Sequence, residues 1–387
     1  MGEGYDPDLG QTEPMRIVLV VPGGVAPPGS QHTIAFIQRL VADLSSDHEV
    51  LVIAVGHDTE VGEWRLFDAD VVNVPVGSHS KSDIVRVVRS VSTLAGRGGR
   101  PDVVHGLWAN LPGLAASIAA HRHRRPSVVS VCGGEFAALA EINYGGGLQR
   151  GTMLLARAAT RTATAVTVAT TWMQQHVSGS GSRVDEIIPL GADTSIFRSQ
   201  APTARSDRLV HLGNINRVKD QALLLQTFRH VLESREATTL DIVGLDTLDG
   251  ELQHIASNLG IEASVRFHGY LQPAEAASIL ARGSVHVLTS RHDAGPVAVL
   301  EAAACGIPTV GTSVGHVTDF ATMRPPAAVA VDGGQPELLA AEIVSLLSDE
   351  PRRLALADRA RQWALAHDSR HTSRSFESLY RRLVANR

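Results

Sequence analysis

Val285–Val317 reads VHVLTSRHDAGPVAVLEAAACGIPTVGTSVGHV. Its first four residues form a short apolar run of strand type, closed by Thr289-Ser290. Arg291-His292-Asp293-Ala294-Gly295 is a polar turn, and Pro296 suits the first position of a helix, where a missing N–H costs nothing. Val297 to Cys305 then reads as a helix, stopped by Gly306 and followed by Pro308. Strand, turn and helix in that order form the repeating unit of a parallel α/β sheet. Glu301 is the only strongly polar side chain of the helix. A helix apolar all round is a buried one, and a carboxylate on it must be hydrogen-bonded or be costly. Val297 and Cys305 stand one turn away, so no basic neighbour pairs with it. Two readings follow: backbone N–H groups or a distant arginine satisfy Glu301, or a ligand offers it hydroxyls. The ligand would occupy a pocket lined by Asp293, Ala294, Gly295 and the helix start at Pro296-Val297.

An acidic residue, seven positions, Glu301-Ala302 and then Gly306-x-Pro308 resembles the donor-site signature of family 4 glycosyltransferases. The family usually has glutamate where Asp293 stands. The resemblance implies a GT-B fold: two Rossmann-like domains facing a cleft, with a C-terminal helix crossing back to the N-terminal domain. It also implies a retaining, metal-independent transfer from a nucleotide sugar. The chemistry suits such a donor, because carboxylates accept from ribose and sugar hydroxyls and helix-start N–H groups bind phosphate.

The whole chain sets bounds on these readings. Its 387 residues suffice for two α/β domains. A net charge of −5 and a pI near 6.4 argue against a general nucleic-acid binder. Cys132 and Cys305 are too few for a disulfide framework or zinc cluster, and reduced thiols in a cytoplasmic protein are expected. No apolar run approaches the roughly 20 residues of a membrane span. Residues 1–14 lack a signal peptide's basic and apolar regions and read as a flexible lead-in. The 17 histidines show no metal-ligand spacing, so neither metal nor cofactor is expected. Lys81, Arg86, Arg89, Arg97 and the His121–Arg125 cluster could form a basic face for peripheral membrane contact. Without a matching apolar face they read as solvated.

Taken in order, Met15–Val21 is an apolar central strand. The Pro22–Ser30 loop after it, with Gly24, Gly29 and Ser30 as cleft candidates, leads into a helix with Ile34, Ile37 and Leu40 on its apolar face. G-x-G-x-x-G is absent, which argues against a dinucleotide. Strands and helices alternate onward, and site residues gather past the strand ends. On that ground His105, Cys132, Gly133 and Glu135 are cleft candidates, Glu135 as a catalytic residue and His105 open to a structural reading. Cys132 stands where many family members have a histidine, so no catalytic histidine is assigned. The N-terminal, acceptor-side domain spans 15–188 together with a returning helix at about 370–387. The donor domain spans 189–369, entered through Pro189-x-Gly191-x-Asp193, with Ser199–Asp207 as linker.

In the donor domain Leu209–Leu212 is a strand, and Gly213-Asn214-Ile215-Asn216-Arg217-Val218-Lys219 follows. The family places a basic residue just after this glycine and a lysine five positions further on, both facing the donor's phosphates. Lys219 matches the lysine. Asn214 replaces the usual arginine, whose charge Arg217 could supply. A departing diphosphate gathers negative charge, which Lys219 and helix N-termini can stabilise in place of a metal. Tyr270 is a candidate wall for the base, and Gly311–His316 reads as a small-residue loop.

The leading function is a glycosyltransferase acting on a nucleoside-diphosphate sugar and a sugar or small-molecule acceptor. Lys219, Asp293, Glu301 and Glu135 are its catalytic candidates. Rivals are a sugar-nucleotide epimerase or phosphorylase of the same architecture, and a non-catalytic donor-binding module.

Overall fold

The computed structural model describes residues 13–27, 30, 33–77, 80–199 and 207–386. Gly29 and most of the Ser199–Asp207 linker lie outside these. The first half contains strands β1 (Arg16–Val21), β2 (Glu49–Val55), β3 (Gly62–Leu66), β4 (Ala69–Val74), β5 (Val103–Leu107), β6 (Ser127–Val131), β7 (Ala165–Val168) and β8 (Glu186–Ile187). Helices α1 (Ala35–Ser45), α2 (Lys81–Leu94), α3 (Leu111–His123), α4 (Arg150–Thr162) and α5 (Thr171–Gly179) connect them. The second half contains β9 (Arg208–Leu212), β10 (Thr239–Val243), β11 (Val265–Gly269), β12 (Val285–Leu288), β13 (Thr309–Thr312) and β14 (Ala328–Val331). Its helices are α6 (Gln221–Ser234), α7 (Glu251–Asn258), α8 (Pro273–Leu280), α9 (Val297–Ala304), α10 (Gly315–Thr322), α11 (Pro336–Ser348), α12 (Glu350–Ala366) and α13 (Ser369–Ala385).

The strands form two sheets, ordered β3-β4-β2-β1-β5-β6-β7-β8 and β11-β10-β9-β12-β13-β14. Every neighbouring pair is parallel except β3 with β4. β1, β5 and β6 are buried almost throughout, as central parallel strands must be. Each sheet reverses its winding once, between β1 and β5 and between β9 and β12. A crevice opens at such a point beyond the strands' C-terminal ends, so the loops there are placed to hold ligands.

Two elements differ from the sequence reading. β3 was not legible because its residues alternate between exposed and half-exposed, as an antiparallel edge allows. Residues 311–316 are not one loop: Gly311-Thr312 ends β13 and Gly315-His316 opens α10. Gly315 enters that helix at φ +47, and a Cβ there would lie 2.5 Å from Pro296 Cδ. Only glycine fits, and a glycine start masks the helix in the sequence.

α13 returns to the first sheet. Phe376, Leu379 and Tyr380 lie in the core beside Leu19, Val103 and Leu107. The passage between the halves is fastened to the start of this helix. Gly191 donates to Thr372 Oγ1 at 2.8 Å, Thr372 Oγ1 donates to the Pro189 carbonyl at 2.6 Å, and Ser369 donates to the Ala192 carbonyl at 2.9 Å. A Cβ on Gly191 would come within 2.2 Å of the Asp368 carbonyl carbon, so the crossing is too tight for a side chain.

Candidate active site

The loop after β9 is held by its own polar groups. Gln221 Nε2 donates to the Asn214 carbonyl at 3.0 Å, Asn216 Oδ1 accepts from the Lys219 amide at 3.0 Å, and Asn214 Oδ1 accepts from the Leu245 amide at 3.2 Å. Gly213 adopts φ +156 and lies against Gly244, where a Cβ would meet the Gly213 oxygen at 2.0 Å. The loop is then joined to the one after β12. Thr289 Oγ1 donates to the Lys219 carbonyl at 3.1 Å, and Arg291 donates its amide to the Val218 carbonyl at 2.8 Å. Asp220, in the left-handed region at φ 48, caps α6 and accepts from Arg291 Nε at 2.7 Å. Lys219 is thereby fixed by its backbone on both sides, and its ammonium forms an ion pair with the Asp293 carboxylate.

The 289–296 turn also touches the first domain. Thr170 Oγ1 donates to the Ala294 carbonyl at 2.7 Å, and His292 Nε2 lies 3.2 Å from the Gly133 carbonyl. Gly295 packs on Ala169 so closely that a Cβ would come within 2.6 Å. Pro296 is the cap of α9 rather than its first helical residue, with ψ 102. Val297 and Glu301, one turn apart on α9, face a cavity of about 400 Å³ between the domains. Tyr270, Leu271, Phe36 and Asp193 line it from other elements. Tyr270 donates across the cleft to the Ser30 carbonyl at 3.3 Å. Among the described residues Glu301 has no hydrogen-bond or ion-pair partner, and burial pushes its carboxyl up to about 7. The reading in which arginine or backbone N–H groups satisfy it finds no such group among the described residues.

Several candidates stand elsewhere. Arg217 turns outward to Glu251, at 2.8 and 2.6 Å, and does not replace the missing arginine. His105 is fully buried between Tyr380 Oη at 2.6 Å and Ser130 Oγ at 2.8 Å. Desolvation lowers its pKa to about 3, so it is a neutral packing residue. Glu135 is expected from its strand-end position to be catalytic, but its carboxylate accepts from the amides of Ala109 at 2.9 Å, Cys132 at 3.2 Å and Gly133 at 2.7 Å. It therefore shapes two loops. Burial raises the Cys132 thiol well above its ordinary value and keeps it unreactive. Gly24 closes its loop at φ +74 by packing against Ile34, which lies 2.4 Å from where a Cβ would stand.

Other contributors gave no sequence signal. Asp220 and Arg291 are ordinary charged residues until the two loops meet. Asp319, on the unrecognised α10, accepts from the amides of Thr171 at 2.7 Å and Trp172 at 3.0 Å at the start of α5. Among the described residues no three His, Cys, Asp or Glu side chains form a metal-type cluster. An Asp68-x-Asp70 triplet runs from the β3–β4 turn into β4, and Asp70 faces Arg65 at 3.4 Å. No helix of the described residues is long and apolar enough to cross a membrane. Of the basic face, Arg86 pairs with Asp83 and Arg97 with Glu63.

Two parallel α/β domains, with a cleft at their winding reversals and a crossing last helix, define a GT-B architecture. Residues 34–191 match the glycosyl transferase 4-like domain and residues 193–363 match glycosyl transferases group 1. The chain belongs to the family 4 glycosyltransferases. A D-inositol 3-phosphate glycosyltransferase of Corynebacterium urealyticum is 29% identical over 44% of this chain and 42% of its own length. The N-acetyl-alpha-D-glucosaminyl L-malate synthase of Bacillus anthracis is 26% identical over 46% of each. The aligned stretches thus span about half the length of these curated relatives. Among solved structures, sucrose-phosphate synthase of Thermosynechococcus elongatus superposes with TM-score 0.78 at 16% identity, covering 97% of this chain and all of that one. Anabaena HepE in complex with UDP-glucose superposes with TM-score 0.71 at 18% identity, covering 95% and 100%. At these identities the likeness is one of fold.

Proposed function

We propose that the protein is a retaining glycosyltransferase that moves a sugar from a nucleoside-diphosphate sugar to a small hydroxyl-bearing acceptor without a metal ion. Two observations carry this: the Lys219–Asp293 pair, and the unpartnered Glu301 facing the interdomain cavity, both on segments that follow β9 and β12 at the winding reversal. Glu301 accepts from the ribose hydroxyls, and Tyr270 and Leu271 wall the base. The diphosphate lies between Lys219 and the open amides at the start of α9, where the helix dipole favours negative charge. As the sugar–phosphate bond breaks, Lys219 stabilises the charge on the leaving phosphate. Asp293, released from Lys219, accepts from sugar hydroxyls. The leaving phosphate takes the acceptor's proton on the same face of the sugar, so no protein base is needed and configuration is kept. HepE's complex with UDP-glucose supports a nucleotide sugar as donor. The names of the relatives, with D-inositol 3-phosphate and L-malate, support a small hydroxyl compound as acceptor; both compounds are anionic, and their charge is not carried over to this chain.

Thermal-shift measurements with UDP, GDP, ADP and dTDP test this first. One diphosphate should stabilise the protein by about 2.7 kcal/mol at a hundred times its Kd. Transfer and hydrolysis assays with the matching nucleotide sugars follow. Binding without turnover of any sugar would favour a donor-binding module, and release of an epimerised sugar would favour an epimerase.

A further inference from the structure

We infer that the acceptor is an uncharged, hydroxyl-bearing ring and that Trp108 is the residue on which it stacks. The inference rests on the glycosyltransferase reading and adds the acceptor's chemical class. An acceptor reaches Asp293 from the first domain, over the loops at the C-terminal edge of its sheet. The described residues of those loops, 22–27, 30, 33–34, 56–61, 75–77, 80, 108–110, 132–149 and 169–170, carry exposed Asp58, Glu60 and Glu141 and contain no lysine or arginine. The rim is therefore acidic.

The chain's own carboxylates also fill the places where backbone N–H groups converge. Glu135 takes the amides of Ala109, Cys132 and Gly133, and Asp319 takes those of Thr171 and Trp172. Of the nearby cations, Arg39 is held by Asp43 and Asp193, and Arg291 by Asp220 and Glu141. Lys81 and Arg150 open the helices beyond the loops with exposed side chains. A phosphate or carboxylate on the acceptor would meet like charge and donors already engaged.

What this edge does offer is an aromatic face with a polar fringe. Trp108 follows β5 at the winding reversal and is held half-buried at φ 69. Strained backbone of this kind persists where the surroundings enforce it, and it gathers at ligand sites. Glu135 enforces it here by holding the Ala109 amide, and the same carboxylate holds Gly133, whose carbonyl meets His292 beside Asp293. The indole lies 5.8 Å from the ring of Phe36, which lines the interdomain cavity. Among the described residues no hydrogen bond engages the indole N–H of the half-buried Trp108. A polyol ring matches it: its apolar face covers the indole and one hydroxyl accepts from Nε1–H.

The test uses full-length protein, the nucleotide sugar whose diphosphate stabilises it, and matched acceptor pairs: methyl glucoside against glucose 6-phosphate, and myo-inositol against myo-inositol 1-phosphate. The neutral member of each pair should stimulate diphosphate release with at least tenfold higher kcat/KM. In diphosphate-saturated protein, saturation-transfer NMR should show methyl glucoside contacts that Trp108→Leu removes. The same variant should raise acceptor KM about tenfold while the diphosphate-induced rise in Tm stays as in wild type. A phosphorylated acceptor used as well as its neutral partner would overturn the inference, as would an unchanged acceptor KM in Trp108→Leu. Failure of every diphosphate to stabilise the protein would instead count against the glycosyltransferase reading, and it is read before any acceptor is added.

Discussion

The ammonium of Lys219 rests on the carboxylate of Asp293, 74 residues further along the chain, and both lie on loops bound to each other by backbone hydrogen bonds. Without a donor, the cation that would meet the phosphates and the carboxylate that would meet the sugar neutralise one another. The partly exposed pair keeps a charged site from standing uncompensated. A donor would replace each partner with its own group, phosphate for Asp293 and hydroxyl for Lys219.

Lys219→Ala should accordingly lower turnover by about 10²–10³, the usual loss of one preorganised donor to a developing charge. Stability should fall by about 1–3 kcal/mol, because the partly buried Asp293 loses its cation. Steady-state kinetics and thermal melts read the two effects separately. Turnover within a few-fold of wild type would remove Lys219 from the phosphates.

Glu301 predicts a pH dependence. Its carboxyl keeps its proton to about pH 7, against an ordinary value of 4.5. Ribose hydroxyls bind the ionised form best, so nucleotide binding releases a proton. Affinity should weaken as pH falls below about 7, by up to tenfold per pH unit. For the free protein, the folded state holds this proton through a window in which the unfolded chain has lost it. The group's contribution to stability therefore falls as pH rises from 4.5 to about 7. Glu301→Gln should flatten both trends and weaken binding by about 1.5–3 kcal/mol. Calorimetric titrations at pH 6 and pH 8 decide the matter: equal affinities in wild type would detach Glu301 from the nucleotide.

Asp319 ties the domains together by accepting two amides at the start of α5, beside Thr170, which holds Ala294. Asp319→Ala should leave those amides to water, loosen the closed arrangement and lower kcat/KM about tenfold, since charge-assisted hydrogen bonds contribute about 1.5–3 kcal/mol. Small-angle scattering should show a larger radius of gyration for the variant. Superimposable curves with unchanged kinetics would show that closure does not depend on this contact.

The two-sheet fold was legible because buried parallel strands such as Ile17–Val21 and Val128–Val131 are apolar runs set off by turn residues. The β12–α9 stretch was legible for the same reason, and Glu301 stands alone on its apolar helix. What escaped was whatever depends on long-range partners. Glu135 looked like a cleft carboxylate because nothing in C-G-G-E reveals that three amides would converge on it. His105 at a strand end could not announce Tyr380, 275 residues away. Arg217 and Lys219 look equivalent on paper, and only the direction of the loop sends one to Glu251 and the other to Asp293. α10 was hidden by its glycine start, and Asp319 with it.

The last prediction concerns Asp293, where this chain has aspartate and its family usually has glutamate. Aspartate is shorter by one methylene, about 1.5 Å of reach. The structure suggests how the chain accommodates this. Gly315 lets α10 press against the Asp293 carbonyl, where a Cβ would lie 2.6 Å away, and Gly295 lets the turn seat against Ala169. The turn is thus held from both domains, and Lys219 rather than a helix amide engages the Asp293 side chain. The competing role, capping α9, is unsupported, because Pro296 is the cap residue and no side chain caps that helix. Asp293→Ala should therefore abolish sugar transfer while diphosphate affinity stays within a few-fold of wild type, or rises slightly as Lys219 is freed. Asp293→Glu should retain activity and shift preference among donor sugars. Asp293→Asn keeps the shape but loses the ion pair, and should transfer at a rate between those of Ala and wild type. Measuring transfer and diphosphate binding on the three variants gives the answer. A joint loss of Tm and diphosphate affinity in Asp293→Ala would mark a structural cap, and wild-type transfer would remove the residue from the donor site.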